Sequence, residues 1–193
     1  MPPVTPSTLA IVLGSVTPPG RLHRALGDAA DAAAERHPGL TVVTLDLGTQ
    51  HIPFADGRPP AEAGPDVEAT VNAIAAAGAV VLATPTYRGS LTGALKNLLD
   101  HVPVPALRGK PTAIAAIGAS DHHFLGADRH LRDILTFFGA ATTPTSLYLT
   151  SRDFTDGIPS PDALIRAGEL LDTVLGYATA LSGEPLGPPP IGR

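Results

Sequence analysis

The sequence contains no cysteine and no tryptophan, and only three of its residues are tyrosine. Without cysteine the chain can form no disulfide, no thiol nucleophile and no cysteine-ligated metal site. Aromatic residues make up 4% of the 193 residues, so a bound ligand has few rings on which to stack. We therefore expect a planar ligand to be recognised mainly by backbone groups.

The chain also lacks a run of charges of one sign. Its 13 Lys and Arg residues and 18 Asp and Glu residues are scattered and give a net charge of -5. This pattern does not predict binding to nucleic acid or to an anionic membrane. The N-terminal stretch MPPVTPSTLAIVLGSV has no basic leader, and its apolar run is too short for a signal peptide or a membrane span. We expect a cytoplasmic protein.

Apolar residues alternate between two kinds of pattern along the chain. Hydrophobic residues make up 44% of the sequence, and the length suits one domain rather than two. Short, almost wholly apolar runs predict strands at 9–13, 41–47, 79–84, 111–118 and 144–149. Apolar residues at helical spacing predict helices at 21–37, 66–77, 91–102, 125–138 and 161–181, with a long irregular connection at 48–65.

Five apolar strands that alternate with five helices predict an α/β fold. The predicted architecture is a doubly wound five-stranded parallel sheet with helices on both faces. Ligands of such sheets bind beyond the carboxyl ends of the strands. This rule selects the three loops that follow Leu13, Thr84 and Gly118.

The loop after the first predicted strand reads GSVTPPGRLH. It contains neither a Walker motif nor GxGxxG, so it predicts no P-loop and no dinucleotide site. Ser15 and Thr17 offer hydroxyl donors, Gly20 permits a close backbone approach, and Arg21 can pair with phosphate oxygens next to free helix N–H groups. An ordinary loop, in which Gly14 turns the chain and Arg21 is solvated, explains these residues equally well.

The segment after the third predicted strand reads TPTYRGSLTGALKNLLDHV. Pro85 and Tyr87 place a rigid bend and a ring at the strand end, and Gly89 allows a backbone or a flat ligand to approach closely. This arrangement would support a planar ligand. The alternative is that Tyr87 is a half-buried core ring and that Arg88 is a surface charge.

Polar residues of the following helix are interpreted structurally. Ser90 and Thr92 are N-cap candidates. Lys96 and Asp100 are spaced to form an ion pair on one helix face. Asn97 is expected to tie the helix to a neighbouring loop. No catalytic role is assigned to any of these side chains.

Three histidines raise the question of a metal. They do not predict one, because adjacent histidines point in different directions and no carboxylate or cysteine completes a ligand set. The three are His122, His123 and His130.

The segment ATPTYRGSLTGALKNLLDHVPVPALRGKPTAIAAIG and the GSVTPPGR loop together resemble the NADPH-dependent FMN reductase family of flavodoxin-like proteins. The similarity extends over nearly the whole chain, and its most specific part is the motif from Tyr87 to Asp100. Within the family, the chain is most similar to reductases that hand reduced FMN to a partner monooxygenase, including those of sulfonate use.

The resemblance implies a single flavodoxin-like FMN-binding domain at 1–193, with flexible tails at 1–8 and 183–193. It implies FMN and NADPH as cofactors and a homodimer or homotetramer. Relatives often carry a histidine at the position of His123. The flavin-binding residues that the resemblance implies are Ser15, Thr17, Gly20, Arg21 and Leu22 at the phosphate, Pro85, Thr86, Tyr87, Arg88, Gly89 and Ser90 along the isoalloxazine ring, and Gly118, Ala119 and Ser120 near its other side.

The sequence departs from its relatives at three positions. Gly20 and Leu22 stand where many relatives have serine, so the phosphate must depend more on backbone N–H groups. Arg129 stands where relatives of the desulfonation branch often have tyrosine, so a role of that tyrosine cannot be transferred.

The resemblance implies hydride transfer from NADPH to FMN, with the reduced flavin passed to an acceptor or a partner monooxygenase. No acid–base pair is required, since the cofactors carry the chemistry. A resident-FMN oxidoreductase that reduces quinones or azo compounds uses the same loops and is the first alternative. A flavodoxin-type electron carrier ranks lower, because its aromatic sandwich and strongly acidic surface are absent. A flavin-free binding module is the last alternative.

Overall fold

A parallel sheet covered by helices on both faces forms the centre of the structure, a computed structural model that describes residues 8–17, 19–181 and 187–188. The strands of this sheet are β1 (Thr8–Leu13), β2 (Thr41–Asp46), β3 (Ala79–Pro85), β4 (Pro111–Ile117), β5 (Ala141–Thr142) and β6 (Leu147–Leu149). The helices are α1 (Arg21–Arg36), α2 (Pro60–Ala63), α3 (Pro65–Ala76), α4 (Gly93–His101), α5 (Val104–Leu107), α6 (Phe124–Phe138) and α7 (Pro161–Leu181).

The strand order is β2-β1-β3-β4-β5, and β6 also pairs with β4. All of these pairs are parallel. Strand order reverses beside β1, because the chain moves first to β2 on one side and then to β3 on the other. This order is that of flavodoxin-like sheets and creates a switch point at the carboxyl ends of β1 and β3. The predicted flavodoxin-like, doubly wound α/β fold is confirmed.

The core consists of two apolar layers, one on each side of the sheet. In β1, Leu9 and Ile11 pack against α1 and α7, whereas Ala10 and Val12 pack on the side of α3, α4 and α6. Successive side chains of a strand point to opposite faces. Strands buried on both faces must therefore be apolar at every position, which is why the unbroken apolar runs predicted them.

The fifth predicted strand, at 144–149, forms only in its last part, as β6, and the short strand β5 that precedes it was not predicted. The structure has two short strands beside β4, which pair Pro111 with Ala141 and Ala115 with Leu147. Pro144 lies between them, and proline cannot donate the N–H that a continuous ladder requires. The pairing with β4 therefore stops before Pro144 and resumes after it.

A two-stranded antiparallel hairpin, β7 (Phe154–Thr155) and β8 (Ile158–Pro159), was not predicted. Its turn contains Asp156 at φ 50° and Gly157 at φ 77°. Two positive φ angles in the centre of a tight turn are typical of a type I′ hairpin, for which Asp-Gly is a preferred sequence. The dipeptide was therefore a usable signal, although the flanking strands are too short to show an alternating pattern.

The predicted connection at 48–65 contains the short helix α2, which begins with Pro60 at a position that suits proline. The predicted flexible tails at 1–8 and 183–193 lie outside the described residues, apart from residues 187–188 and Thr8, the first residue of β1. Along the described residues, no helix has the length and apolar character needed to cross a membrane.

Lys110 closes the C-terminal end of α3. Its Nζ donates hydrogen bonds to the carbonyl oxygens of Ile74, Ala75 and Ala77 at 2.8, 2.7 and 2.6 Å. The last carbonyls of a helix have no partner within the helix, so this side chain satisfies groups that would otherwise be unpaired. Burial lowers the pKa of Lys110 from its ordinary value of 10.5 to about 8.

We expect Lys110→Met to destabilise the protein by about 1–3 kcal/mol at pH 7, because it leaves these carbonyls unpaired. The loss is expected to be larger at pH 10. Between a folded pKa near 8 and an unfolded pKa of 10.5, the unfolded chain binds more protons. The contribution of Lys110 to stability therefore increases as the pH rises through this window.

Urea denaturation of the wild-type and variant proteins at pH 7 and pH 10 measures this difference. Lys96→Met, on an exposed face of α4, is the control for losing a lysine that does not cover a helix end. A wild-type-to-variant gap that stays constant or shrinks between the two pH values would contradict the expected titration of Lys110.

Candidate functional site

The loops that follow β1, β3 and β4 meet at one edge of the sheet. They enclose a cavity of about 470 Å³, called here the loop cavity. Its walls are formed by the ends of these strands, by residues 14, 15, 17 and 19–23, by residues 85–87 and by residues 117–119, with Asp46 at the end of β2. Because the strands are parallel, their carboxyl ends meet at one edge, as the sequence predicted.

The loop after β1 presents hydroxyl and N–H groups at the start of α1. The Ser15 and Thr17 hydroxyl oxygens are 2.7 Å apart, and the Thr17 N–H donates to Ser15 Oγ at 3.3 Å. The N-cap residue of α1, Gly20, has no side chain to cap the helix, and the first turn contains no acidic residue. The first N–H groups of α1 thus have no side-chain acceptor at this cap, and the helix dipole favours an anion there.

Arg21 lies at the mouth of the loop cavity. Its guanidinium carbon is 5.4 Å from the centre of the Phe154 ring, within the range of a cation–π contact. Its side chain is exposed and makes no ion pair within the described part of the chain. The positive charge is therefore available to an incoming anion, and the Phe154 ring limits where the guanidinium can lie.

One buried polar atom on the wall of the cavity lacks a partner. His23 Nδ1 is inaccessible to solvent and makes no hydrogen bond among the described residues. A buried polar atom without a partner is costly, and nearly all such atoms in folded proteins are paired. A polar ligand in the cavity would provide a partner for it, whereas the buried Thr86 hydroxyl already lies beside that of Tyr148.

The loop after β3 contains a tight turn from Tyr87 to Ser90. The two residues exchange backbone hydrogen bonds of 2.9 and 3.1 Å, and both central residues have positive φ angles, 53° at Arg88 and 76° at Gly89. The carbonyl of Gly89 packs so closely against Gly126 of α6 that a Cβ at Gly126 would collide with it. A second backbone thus approaches Gly89. The sequence had left open whether a backbone or a flat ligand does so.

Thr92 joins the loop after β3 to the loop after β1. Its Oγ1 accepts a hydrogen bond from the Leu95 N–H at 3.1 Å as the N-cap of α4, and it donates to the carbonyl of Gly14. Its own N–H donates to Thr84 Oγ1 at 3.1 Å. Of the two predicted N-cap candidates, Thr92 is therefore the one that caps α4. Ser90 is not a cap, and its Oγ lies 2.7 Å from His130 Nδ1.

The loop after β4 is shaped by Tyr148. The Tyr148 hydroxyl donates to the carbonyl of Ser120 at 2.8 Å and lies where a Cβ at position 118 would be. Gly118 is therefore required by the close approach of this ring. The backbone at 118–119 is left facing the cavity.

Ten of the fourteen residues implied by the resemblance line the loop cavity. The other four lie outside it. Arg88 is exposed, Gly89 packs against Gly126 of α6, and Ser90 contacts His130. The carbonyl of Ser120 accepts a hydrogen bond from Tyr148. The ten that line it are Ser15, Thr17, Gly20, Arg21, Leu22, Pro85, Thr86, Tyr87, Gly118 and Ala119.

Asp46 and His23 also line the cavity, and the sequence analysis did not single them out. Asp46 ends β2, and its Oδ1 accepts a hydrogen bond from the Gly48 N–H at 2.9 Å. The structure pairs β2 with β1, which places the carboxyl end of β2, and with it Asp46, beside the cavity. His23 lay within the quoted loop, but the sequence showed nothing about the burial of its ring.

The polar residues of α4 have structural roles. Lys96 pairs with Asp100 at 2.6 Å, which confirms the predicted ion pair. Asn97 accepts a hydrogen bond from the Ala55 N–H at 3.0 Å and donates to the carbonyl of Pro53 at 2.9 Å, so it ties α4 to the 48–65 connection as predicted. His122 and His123 lie in an exposed 3-10 turn. In the described part of the chain, no three potential metal ligands cluster closely enough to hold an ion.

The fold and the site together define a flavodoxin-like protein with a ligand cavity at the switch point of its sheet. The model of the NADPH-dependent FMN reductase family matches residues 7–155. The chain belongs to this family, which confirms the resemblance stated from the sequence.

Individual relatives agree with this assignment. A relative from Pseudomonas putida, named an NADH-dependent FMN reductase SfnF, is 31% identical over 170 residues, which are 88% of this chain and 91% of that protein. One from Geobacillus thermodenitrificans, named an NAD(P)H-dependent FAD/FMN reductase, is 34% identical over 119 residues, which are 62% of this chain and 64% of that protein, less than two thirds of its length. The solved structure of an oxidoreductase from Corynebacterium diphtheriae superposes with a TM-score of 0.68 at 25% identity, over 90% of this chain and 95% of that one.

Proposed function

We propose that this protein is an NAD(P)H-dependent FMN reductase that transfers hydride from the nicotinamide to FMN and releases reduced flavin to an acceptor such as a partner monooxygenase. The supporting observation is the loop cavity, in which an uncapped helix start and an unpaired buried nitrogen of His23 adjoin walls of backbone and apolar side chains. This combination suits a ligand with an anionic end and a flat, polar-edged ring.

The residues present fit FMN at both ends of the cavity. The N–H groups at the start of α1, the hydroxyls of Ser15 and Thr17 and the guanidinium of Arg21 would hold the phosphate. The segments 85–87 and 118–119 would bound the ring from two strands that are neighbours in the sheet. Different loops would therefore bind the phosphate and the ring, and the sheet fixes the distance between these loops.

Hydride transfer requires orientation of the two reactants rather than an acid–base pair. FMN supplies the hydride acceptor, and the protein contributes positioning and the exclusion of competing reactions. The cavity opens to solvent beside Tyr87, whose side chain is 53% exposed. Tyr87 is the one Tyr or Phe ring among the described lining residues. A flavin bound here would therefore be covered by a single aromatic side chain of these residues, which would leave room for a nicotinamide and then for an acceptor.

Titration of flavin-stripped protein with FMN tests the proposal. The initial rate of NADPH oxidation, and in parallel that of NADH, is measured from zero FMN to a large excess over enzyme. Saturation at FMN concentrations well above that of the enzyme is expected for a reductase that releases its flavin.

Two other outcomes would contradict the proposal in different ways. Saturation at one FMN per chain, with the rate then set by an added quinone or dye, would indicate a resident-flavin oxidoreductase. Absence of any FMN-dependent oxidation would show that the chain retained the fold without the activity.

Arg21→Ala tests the assignment of the phosphate end. A charged hydrogen bond to phosphate contributes about 1.5–3 kcal/mol, so FMN binding is expected to weaken roughly 10- to 100-fold. Riboflavin, which has no phosphate, should bind the variant about as well as it binds the wild-type protein. Quenching of flavin fluorescence gives both dissociation constants.

Arg129→Ala, an exposed position on α6 outside the loop cavity, is the control for losing one positive charge. It should change neither constant appreciably. Equal weakening of FMN and riboflavin by Arg21→Ala would mean that Arg21 shapes the cavity instead of binding the phosphate.

A further inference from the structure

Tyr148 lies next to the ring end of the loop cavity, which is the part bounded by residues 85–87 and 117–119. It belongs to β6, pairs with Ala116 of β4 and is half-buried. Tyr148 does not line the loop cavity. Its hydroxyl nevertheless reaches the loops after β3 and β4, which form the two walls of the ring end.

The loop after β4 leaves the sheet at Gly118. The Gly118 N–H donates to the backbone of β6 at 2.9 Å, and two residues later the Tyr148 hydroxyl donates to the carbonyl of Ser120 at 2.8 Å. Asp121 also forms an ion pair with Arg152, but both side chains are exposed, and exposed pairs contribute little. The partly buried hydrogen bond of Tyr148 is therefore the stronger of the two side-chain contacts that hold this loop past the strand end.

The loop after β3 meets the same hydroxyl through Thr86. Thr86 lines the loop cavity, and its N–H donates to the carbonyl of Ile117 at 2.7 Å. The Thr86 hydroxyl lies beside that of Tyr148 and has no other partner among the described residues. Burial raises the pKa of Tyr148 from its ordinary value of 10.0, so its hydroxyl stays protonated above neutral pH and can donate to Ser120.

The position of the Tyr148 hydroxyl is itself fixed from two sides. The carbonyl of Tyr148 accepts a hydrogen bond from Arg166 of α7 at 3.2 Å, which holds the backbone of β6. The ring packs directly over Gly118, where a Cβ would lie only 2.8 Å from Tyr148 Cζ. A hydroxyl held in this way can define the distance between the two loops that it contacts.

We propose that Tyr148 is a positioning residue for the flavin ring and that its hydroxyl fixes the separation of the loops after β3 and β4. This inference rests on the proposed function, because the ring is that of FMN. The ring would lie between these loops, so a change in their separation alters both its affinity and its orientation. A displacement of about 1 Å can slow a reaction roughly 100-fold. Tyr148 would therefore affect hydride transfer without touching the flavin.

Tyr148→Phe removes the hydroxyl and keeps the ring over Gly118. The dissociation constants of FMN and riboflavin should both rise roughly 3- to 10-fold, as expected for the loss of one hydrogen bond. The factor should be the same for the two flavins, because they share the ring and differ only at the phosphate. Arg21→Ala, in contrast, should affect FMN alone. Fluorescence titration of flavin-stripped protein gives these constants without a nicotinamide nucleotide.

The rate of hydride transfer at saturation separates positioning from stabilisation of the fold. Flavin-loaded protein is mixed with saturating NADPH, and the reduction of FMN is followed by its absorbance in a single turnover. Tyr148→Phe should slow this step roughly fivefold or more, whereas a variant that is only less stable would react at the wild-type rate once loaded. Tyr177→Phe, on α7 and outside the loop cavity, is the matched control for the loss of a tyrosine hydroxyl and should change neither the affinities nor the rate.

Thr86→Val tests whether the two neighbouring hydroxyls act together. It removes the Thr86 hydroxyl and keeps the shape of the side chain. If the hydroxyls form one contact, Thr86→Val should weaken riboflavin binding less in the Tyr148→Phe background than in the wild-type protein. Fully additive effects would show that the Thr86 hydroxyl acts on the flavin independently, which would overturn the link between the two loops.

Three results for Tyr148→Phe would overturn the inference. Wild-type affinities and rate would mean that the sheet and the ring position the loops without the hydroxyl. Weaker binding of FMN with unchanged binding of riboflavin would place the effect at the phosphate. A lower melting temperature with a wild-type rate at saturation would mean that the hydroxyl only stabilises the fold. Failure of the wild-type protein to bind FMN, or to reduce it, would instead contradict the proposed function itself.

Discussion

Thr92→Val is expected to lower the free energy of unfolding by about 2–4 kcal/mol, although the side chain keeps its volume and shape. For a chain of this length such a loss corresponds to a decrease in the melting temperature of roughly 5–15 °C. We also expect FMN binding to weaken at least tenfold, because the variant loosens two of the three loops that form the cavity.

The size of the effect follows from the two hydrogen bonds made by one buried hydroxyl. Thr92 is 4% exposed, so neither the Leu95 N–H nor the Gly14 carbonyl gains water in its place. Loss of an N-cap destabilises a helix by about 1 kcal/mol, and a buried carbonyl left without its donor adds about 1–3 kcal/mol.

Thr92→Ser is the matched control, since it keeps the hydroxyl and removes only a methyl group. It should retain most of the stability and most of the FMN affinity. Thermal unfolding and fluorescence titration of both variants give the comparison. If the serine variant is as unstable as the valine variant, packing of the methyl group, and not the hydroxyl, holds the two loops together.

Gly14→Ala is expected to destabilise the protein by about 1–3 kcal/mol and to displace the loop after β1. A Cβ at this position would lie 2.7 Å from Leu95 Cβ and 2.9 Å from the carbonyl oxygen of Ala83. Neither atom can yield easily, because one belongs to the buried face of α4 and the other to the backbone of β3. The strain would also affect the 2.7 Å hydrogen bond from the Gly14 N–H to Ala83. FMN binding should weaken along with stability.

Gly93→Ala is the control for this variant. Gly93 is the first residue of α4, and a Cβ there meets no atom within 4 Å. Urea denaturation should show little change for Gly93→Ala and a clear loss for Gly14→Ala. Wild-type stability and FMN affinity in Gly14→Ala would mean that α4 moves away from β1 without penalty, contrary to the tight packing seen here.

The turn from Tyr87 to Ser90 shows where sequence interpretation reaches its limit. The sequence predicted that this whole segment belongs to the site, but in the structure only part of it lines the cavity. Tyr87 lines the cavity, whereas Gly89 packs against Gly126 and Ser90 contacts His130. The contacts to α6 join residues about 40 positions apart, and no local pattern encodes which side of a turn faces a ligand.

The role of Gly14 illustrates the same limit. The sequence suggested a glycine that turns the chain, but Gly14 is not among the glycines with positive φ angles. Glycine is needed there because α4 lies too close for a side chain. The partner, Leu95, is 81 positions away, so this requirement arises only when the sheet brings the two elements together.

By itself the sequence determined the α/β class, the doubly wound parallel sheet, the family and the edge of the sheet where the loops meet. Strands buried on both faces must be apolar throughout, amphipathic helices must repeat every 3.6 residues, and right-handed crossovers leave few ways to connect them. The tertiary structure decided which loop residues face the cavity, the contacts of Thr92 and Asp46, and the short strand β5 that precedes the last predicted strand. These features depend on contacts between segments distant in sequence, whose geometry is set by the packing of the whole fold.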